Sequence, residues 1–339
     1  MTLFEKLMDK ISGSLSNKIN LGKEIHSLKA LLKNGYWKRL EKLPPRKAFF
    51  NVIDVCNANC VFCPAQKLPS EGIMELPLYR KSIKELDEIG TKSINFSALY
   101  GEPLLDPHLF QRIEMASSHG FKTILTTNGI RLSENENVEK LIEKGIDKVN
   151  VSMPGFGEKS YAEIFRVDKK NYGKAISGIA KLLRYRGKVD CHLSIRYNSK
   201  IPELFQSPGF KHNILPLVNK NFIKENIHLS KKVDNWGGLI SEEDLPEGMF
   251  LLKPPSLKPV PCKWTFSVAI LPGGTVRLCP CRVAEQGKQD ELTVGNIRET
   301  RLREIWYGKK TKELRRMFST FDGRELPEAC RDCSFYSPP

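Results

Sequence analysis

No run of about 18 apolar residues occurs in the 339-residue sequence, so it offers no candidate for a membrane-spanning helix. The N-terminal stretch MTLFEKLMDKISGSL lacks a signal-peptide core, because charges interrupt its apolar residues. These two absences predict a cytoplasmic protein. Histidine is scarce, six in all, and none stands near the cysteines at 56–63 to complete a mixed ligand set. Acidic residues are outnumbered, 39 Asp and Glu against 54 Lys and Arg, for a net charge of +15. Residues 1–47 alone hold eleven basic against four acidic side chains. Such an excess can attract RNA, a nucleotide-linked sugar or an acidic membrane surface. A solvated basic face on a flanking helix is the simpler reading, because charge runs are weak evidence. Tyr36 and Trp37 form a single aromatic pair, too little for a nucleic-acid platform. No nucleic-acid partner is expected.

What the chain does have is length and cysteine. With 40% hydrophobic residues it can bury a sizeable core, and 339 residues suit one large domain plus a smaller one. Nine cysteines in a reducing compartment favour metal ligation over disulfides. Three of them, Cys56, Cys60 and Cys63, fall within eight residues, directly after the apolar run 48–55. That run reads as a buried strand, and Asn57 and Asn59 put the cysteines on a loop past its end. Three thiolates this close can converge on one metal centre. Zinc would prefer paired C-x-x-C units or added histidines.

From 48 to about 235 strand and helix patterns alternate. Strands are expected at 48–55, 92–98, 122–127, 147–152, 189–197 and 226–232, with helices near 77–89, 107–119, 134–144, 169–184 and 209–221. Six strands with five intervening helices predict a parallel α/β sheet, which right-handed crossovers curl into a full or partial barrel. Chemistry in such barrels gathers at the C-terminal ends of the strands, where Cys56 lies.

The spacing C-x-x-x-C-x-x-C, with Phe62 before the last cysteine, resembles the radical S-adenosylmethionine (radical SAM) superfamily. The resemblance implies an open (β/α)6 partial barrel. It also implies a [4Fe–4S] cluster held through three irons by Cys56, Cys60 and Cys63, with SAM chelating the fourth. An uncapped iron suits catalysis, whereas a cluster closed by four cysteines suits electron transfer. Gly101-Glu102-Pro103, after the second strand, is similar to the family's G-G-E-P segment, with Tyr100 where a glycine often stands. Alone, G-E-P would be a turn. Thr126-Thr127-Asn128-Gly129 resembles the family's T-N-G and is read mainly as a turn. The resemblance puts Phe62, Gly101, Glu102, Ser152 and Arg196 at the SAM site. In this reading Glu102 meets the ammonium group, Ser152 the ribose and Arg196 the carboxylate. The bland alternative for Ser152 and Arg196 is an ordinary polar rim. Cys191 is expected to be an inert core thiol, and His192 to face helices or solvent without a role.

Residues 236–260, rich in Pro, Gly and acids, read as a linker between a 48–235 barrel and a 261–339 unit, with 1–47 a basic helical extension. Trp236 there could wall a pocket, though a packed Trp is the commoner outcome. In the last unit Phe266 to Cys279 reads as a β-hairpin about Pro272-Gly273-Gly274. Cys262, Cys279, Cys330 and Cys333 resemble the twitch form of the SPASM-type extension of radical SAM enzymes, as do Val294-Gly295-Asn296-Ile297 and Ile305-Trp306. The resemblance implies one auxiliary [4Fe–4S] cluster closed by four thiolates. Structural zinc is the alternative. Cys281 could take the place of Cys279, since strand residues two apart share a face.

The expectation is therefore an enzyme that cleaves SAM reductively to a 5′-deoxyadenosyl radical and takes hydrogen from a small, anionic or sugar- or cyclitol-like substrate. The auxiliary cluster would accept an electron in a dehydrogenase-type oxidation. A reducing partner such as flavodoxin or ferredoxin would supply the first electron. A maturase acting on a ribosomally made peptide is the alternative within the class; the short N-terminal helix argues against a leader-binding module. A non-catalytic iron–sulfur carrier or RNA-binding protein is the alternative outside it.

Overall fold

The computed structural model describes residues 36–97, 99–155, 157–200, 206–319 and 325–338. The helical pattern expected on Ile25, Leu28 and Leu32 lies outside them. Of the N-terminal extension the structure shows a short helix, Tyr36–Leu40, and the run into the first strand.

Six strands, β1 (Ala48–Phe50), β2 (Ser93–Phe96), β3 (Lys122–Thr127), β4 (Lys148–Pro154), β5 (Asp190–Arg196) and β6 (Ile227–Ser230), pair in sequence order, all parallel. The crossovers include the expected helices Leu76–Ile89, Leu109–Ser118, Asn137–Glu143 and Lys170–Arg184. This is the parallel α/β architecture of a partial barrel. Helix Lys170–Arg184 shows why these segments are helical. Its buried Tyr172, Ala175, Ile176, Ile179, Leu182 and Leu183 fall at three- and four-residue spacing and pack on the sheet. A helix at Glu158–Phe165 escaped the sequence reading, although Tyr161, Ile164 and Phe165 carry the same spacing. The helix expected over 209–221 breaks into a π turn, Phe210–Ile214, and a 3-10 turn, Leu215–Leu217, before a helix at Lys220–Asn226. Pro216, with no N–H to give, ends the ladder there.

β1 is shorter than expected because the chain changes partner. After Phe50 the backbone turns to residues 72–74: Met74 N–H bonds the Val52 carbonyl at 2.9 Å, and Asp54 N–H bonds Gly72 at 3.2 Å. Strand partners also come from far along the chain. Beyond a small pair, β7 (Lys232–Val233) with β8 (Phe250–Leu251), the hairpin β9 (Val268–Ile270) and β10 (Thr275–Arg277) forms as expected and is joined by β11 (Thr293–Asn296). β9 then pairs parallel with β1, Ala48 opposite Val268, so that nine strands share one sheet.

The two faces of the barrel strands differ. On β5, Cys191, Leu193 and Ile195 are buried against the helices, and the Cys191 sulfur sits 3.9 Å from the Leu182 carbonyl. Burial pushes that thiol up to about 12, which suits an inert core group. The alternate residues face the lumen: Ser97, Thr126, Asn150, Ser152, Ser194 and Arg196 are polar and half-buried. A closed parallel barrel fills its lumen with branched apolar layers; this one does not. His192 lies on that lumen side rather than against the helices. Its ring reaches Asp190 at 2.9 Å and stacks on His228 with centroids 5.7 Å apart.

The C-terminal hairpin carries a pH-sensitive anchor. Buried Arg277 on β10 forks onto Asp290, Nε to Oδ2 at 2.5 Å and Nη2 to Oδ1 at 2.9 Å. Burial pushes the Asp290 carboxyl up, but the guanidinium outweighs it and holds the group below its ordinary value. A carboxyl depressed on folding contributes its full stability above the unfolded pKa, about 3.9. That contribution is lost as pH falls through the lower folded value. Asp290→Asn is therefore expected to lower the denaturation midpoint at pH 7. The gap to the parent should shrink as unfolding curves are taken towards pH 3. A gap that stays constant over that range would rule the anchor out.

Candidate active site

The first cysteine loop is clamped from two sides. On one, Glu102 N–H bonds the Val55 carbonyl at 2.9 Å. On the other, Asn59 and Val61 N–H groups bond the carbonyls of Phe165 and Ile164, at 3.0 and 2.9 Å. The unforeseen helix Glu158–Phe165 is thus one jaw of the loop. Cys56, Cys60 and Cys63 are free thiols lining a cavity of about 200 Å³. Phe62, Gly101, Glu102, Ser152 and the tips of β2 and β3 share its wall. The strand ends therefore bring seven of the proposed first-site residues to one space. Arg196, at the end of β5, is outside that lining; its guanidinium is buried near the charge of Asp234, and burial pulls its pKa down.

Glu102 is 1% exposed and its carboxylate is already engaged. Oε1 accepts from Leu104 N–H at 3.0 Å and from the Thr127 hydroxyl at 2.7 Å; Oε2 accepts from Asn128 N–H at 2.7 Å. Burial still raises its pKa. The side chain therefore ties the end of β2 to the T-N-G turn as well as facing the cavity. Asn128 completes the tie. Its Oδ1 accepts from Ile130 N–H at 3.0 Å, and its Nδ2 donates to Asn57 in the cysteine loop at 2.7 Å. The T-N-G spacing reads mainly as a turn; the reach of Asn128 to Asn57 has no local signal in the sequence.

Gly101 explains its own identity. It sits at φ +96°, and a Cβ there would lie 2.2 Å from the Ile53 carbonyl oxygen. The close approach it permits is that of the chain leading into the cysteine loop.

Burial pushes all three thiols up, Cys63 to about 11, and neighbouring cysteines add to the effect at Cys60. Three clustered soft donors, neutral on their own, are what a cationic iron centre can deprotonate and hold. Among the described residues no three His, Cys, Asp or Glu side chains converge tightly enough to hold a single ion. The soft donors and the open space beside them suit an iron–sulfur cluster at Cys56, Cys60 and Cys63.

The second set gathers from three segments. Cys262 precedes a 3-10 turn, Lys263–Phe266; Cys279 and Cys281 follow β10; Cys330 and Cys333 come from the helix Glu328–Arg331 and its exit. All five are free and all but Cys281 are buried. The Cys281 backbone N–H donates to the Cys279 sulfur at 3.3 Å, and the Cys281 side chain, Arg277 and Arg282 pull the Cys279 pKa down against burial. The neighbouring Cys279 and burial push the Cys281 thiol up. Four buried sulfurs with cations beside them suit a closed cluster.

Trp236 stands between the two sets. It lines the first cavity, and its indole N–H donates to the Phe62 carbonyl at 3.0 Å.

Comparison with known proteins bears on both sites. A profile of the radical SAM superfamily matches residues 50–197, and one of an iron–sulfur cluster-binding domain, SPASM, matches residues 262–334. A PqqA peptide cyclase of Gluconobacter oxydans is 23% identical over 318 residues, 86% of this chain and 83% of that protein. A GTP 3′,8-cyclase of Chlorobaculum tepidum is 30% identical over 121 residues, 35% of this chain and 36% of that one. Among solved structures, BtrN in complex with AdoMet and 2-DOIA aligns with a TM-score of 0.55 at 21% identity, covering 85% of this chain and 92% of that one. Streptococcus suis SuiB bound to precursor peptide SuiA aligns with a TM-score of 0.56 at 14% identity, covering 85% and 69%. At these identities the structures establish the fold alone.

Proposed function

This chain belongs to the radical SAM superfamily and carries an iron–sulfur cluster-binding domain of the SPASM type, and on that premise we propose that it oxidises a small, polar substrate by removing a hydrogen atom from a C–H bond. When bound, SAM and the two [4Fe–4S] clusters supply a 5′-deoxyadenosyl radical at the first site and, at the second, an acceptor for the electron the substrate gives up together with a proton.

The chain's own residues hold and enclose. Cys56, Cys60 and Cys63 would ligate the first cluster, and Cys262, Cys279, Cys330 and Cys333 the second. The Glu102–Asn128–Asn57 chain keeps the first loop in register with the strand ends. Ser152 offers a hydroxyl for the SAM ribose, Arg196 a guanidinium for a carboxylate, and Phe62 an apolar wall. Holding the substrate carbon beside the radical and keeping water away is the protein's main contribution.

The observation that carries the small-substrate reading is the lumen. Ser97, Thr126 and Ser152 line the cysteine cavity itself, and Asn150 and Ser194 lie on the same face of β4 and β5, giving a polar wall suited to a hydroxylated or amidated molecule. The peptide reading also has an observation in its favour: a peptide cyclase is a relative aligned over 83% of its length.

Anaerobic, dithionite-reduced protein incubated with SAM is expected to form 5′-deoxyadenosine, faster with the right substrate present. Stimulation by polyols or amino sugars supports the reading, and stimulation by peptides alone moves it to the second. No 5′-deoxyadenosine from cluster-loaded protein would sink both.

A further inference from the structure

Arg282 follows Cys281 and is 1% exposed. Its guanidinium forks onto Asp234, with Nη2 to Oδ1 at 2.5 Å and Nη1 to Oδ2. The same Nη2 stands 2.9 Å from the Cys333 sulfur, and Nη1 also donates to the Cys281 carbonyl. Asp234 is itself anchored beside that sulfur, since it accepts from the Ser334 hydroxyl at 2.6 Å. Asn235 ties the same two segments, its Nδ2 donating to the Asp332 carbonyl at 2.7 Å. Trp236 follows at φ +52°, a left-handed backbone that a bulky residue rarely adopts, and its ring lies 6.0 Å from the guanidinium carbon. Gly237 next to it lets the chain close on Ala329, whose carbonyl oxygen would be 3.1 Å from a Cβ.

Other buried cations near the second cysteine set are used differently. Arg277 is forked onto Asp290 and reaches the Cys279 carbonyl at 2.7 Å, not a sulfur. Lys258 donates to the Arg331 carbonyl. Among the described residues, Arg282 is the cation that donates to a sulfur of this set.

We propose that Arg282 sets the reduction potential of the auxiliary iron–sulfur cluster through its hydrogen bond to Cys333, with Asp234 as the positioning partner that tempers its charge. This rests on the reading of the second cysteine set as cluster ligands. Reduction adds negative charge to a cluster, and a hydrogen-bonded cation at a ligand sulfur stabilises that charge and raises the potential. The site is buried, so solvent screens the effect little. The Asp234 carboxylate shares the Arg282 Nη2 with the Cys333 sulfur, and its negative charge opposes that of the guanidinium. Removing either charge should therefore move the potential in opposite directions. A pair that merely braces the fold has no reason to do so.

The test uses the full chain with Cys56, Cys60 and Cys63 all replaced by alanine, so that the second set holds the remaining cluster. Iron and sulfide are counted, and the midpoint potential is read by a dye-mediated titration followed by electron paramagnetic resonance. Arg282→Gln is expected to shift the midpoint to lower potential, Asp234→Asn to higher, and Arg282→Lys to a value between Arg282→Gln and the parent. Should Arg282→Gln fail to fold around an unpaired Asp234, the double variant Arg282→Gln/Asp234→Asn replaces the ion pair by an amide pair. It is expected below Asp234→Asn alone. Midpoints that stay put, or that move the same way in Arg282→Gln and Asp234→Asn at full iron content, overturn the proposal. A parent holding no iron overturns the iron–sulfur reading of this cysteine set and the proposal with it, a failure the iron count reveals before any potential is measured.

Discussion

Replacing Cys60 with alanine is expected to abolish 5′-deoxyadenosine formation while leaving the chain folded. The loop's geometry does not depend on that thiol. Its backbone is held by Val61 N–H on Ile164 and Cys63 N–H on the Cys60 carbonyl, at 2.9 and 3.0 Å, and by Asn128 through Asn57. Truncating one half-buried thiol costs about 1 kcal/mol. Removing one of three cluster ligands, by contrast, deprives SAM of its reductant. Anaerobically loaded Cys60→Ala should lose about half its iron, since the second set keeps its own cluster, and show no 5′-deoxyadenosine by chromatography. Cys56→Ala and Cys63→Ala should behave alike. Product formation at the parent rate in any of the three would end the proposed assignment of that cysteine.

Gly101→Ala should be the most damaging single-methyl change near the site. A left-handed backbone with a side chain costs on the order of 1–3 kcal/mol. Here the new Cβ would also lie 2.2 Å from the Ile53 carbonyl oxygen, so backbone rather than a side-chain tip must give way. The combined destabilisation should be at least about 3 kcal/mol. The movement falls on Ile53 and Asp54, two residues ahead of Cys56, so SAM affinity should fall with stability. Gly72→Ala separates the two causes: Gly72 has φ +83° but nothing within 4 Å of a Cβ. Thermal melts and equilibrium dialysis with SAM on both variants check this. Equal losses in the two would mean that strain alone acts at Gly101 and that the contact with Ile53 is unimportant.

The parts of the site that could be read from the sequence are those written in short spacings. Cys56, Cys60 and Cys63 were legible as one set because eight residues of loop cannot spread them far, and all three line one cavity. Gly101 and Glu102 follow a strand by a few residues and had to arrive at its tip. The parallel architecture was legible because apolar strand runs alternate with helical periodicity, and alternation within β5 predicts one apolar face. Arg196 shows the limit of that logic: period two puts it on the lumen side, but not at the cavity.

The sequence by itself determined the grouping of the cysteines into two sets, the six parallel strands of the barrel and the alternation of polarity along β5, because each depends on near neighbours along the chain. Only the tertiary structure decided that β9 would lie beside β1, that Glu102 would spend its carboxylate on Thr127 and Asn128, and that Trp236, Asp234 and Arg282 would join the two cysteine sites. Those pairings link residues as far as 220 positions apart, Ala48 with Val268. No local periodicity encodes such partners. They are selected when buried charges and backbone groups must find one another in a core that leaves them no water.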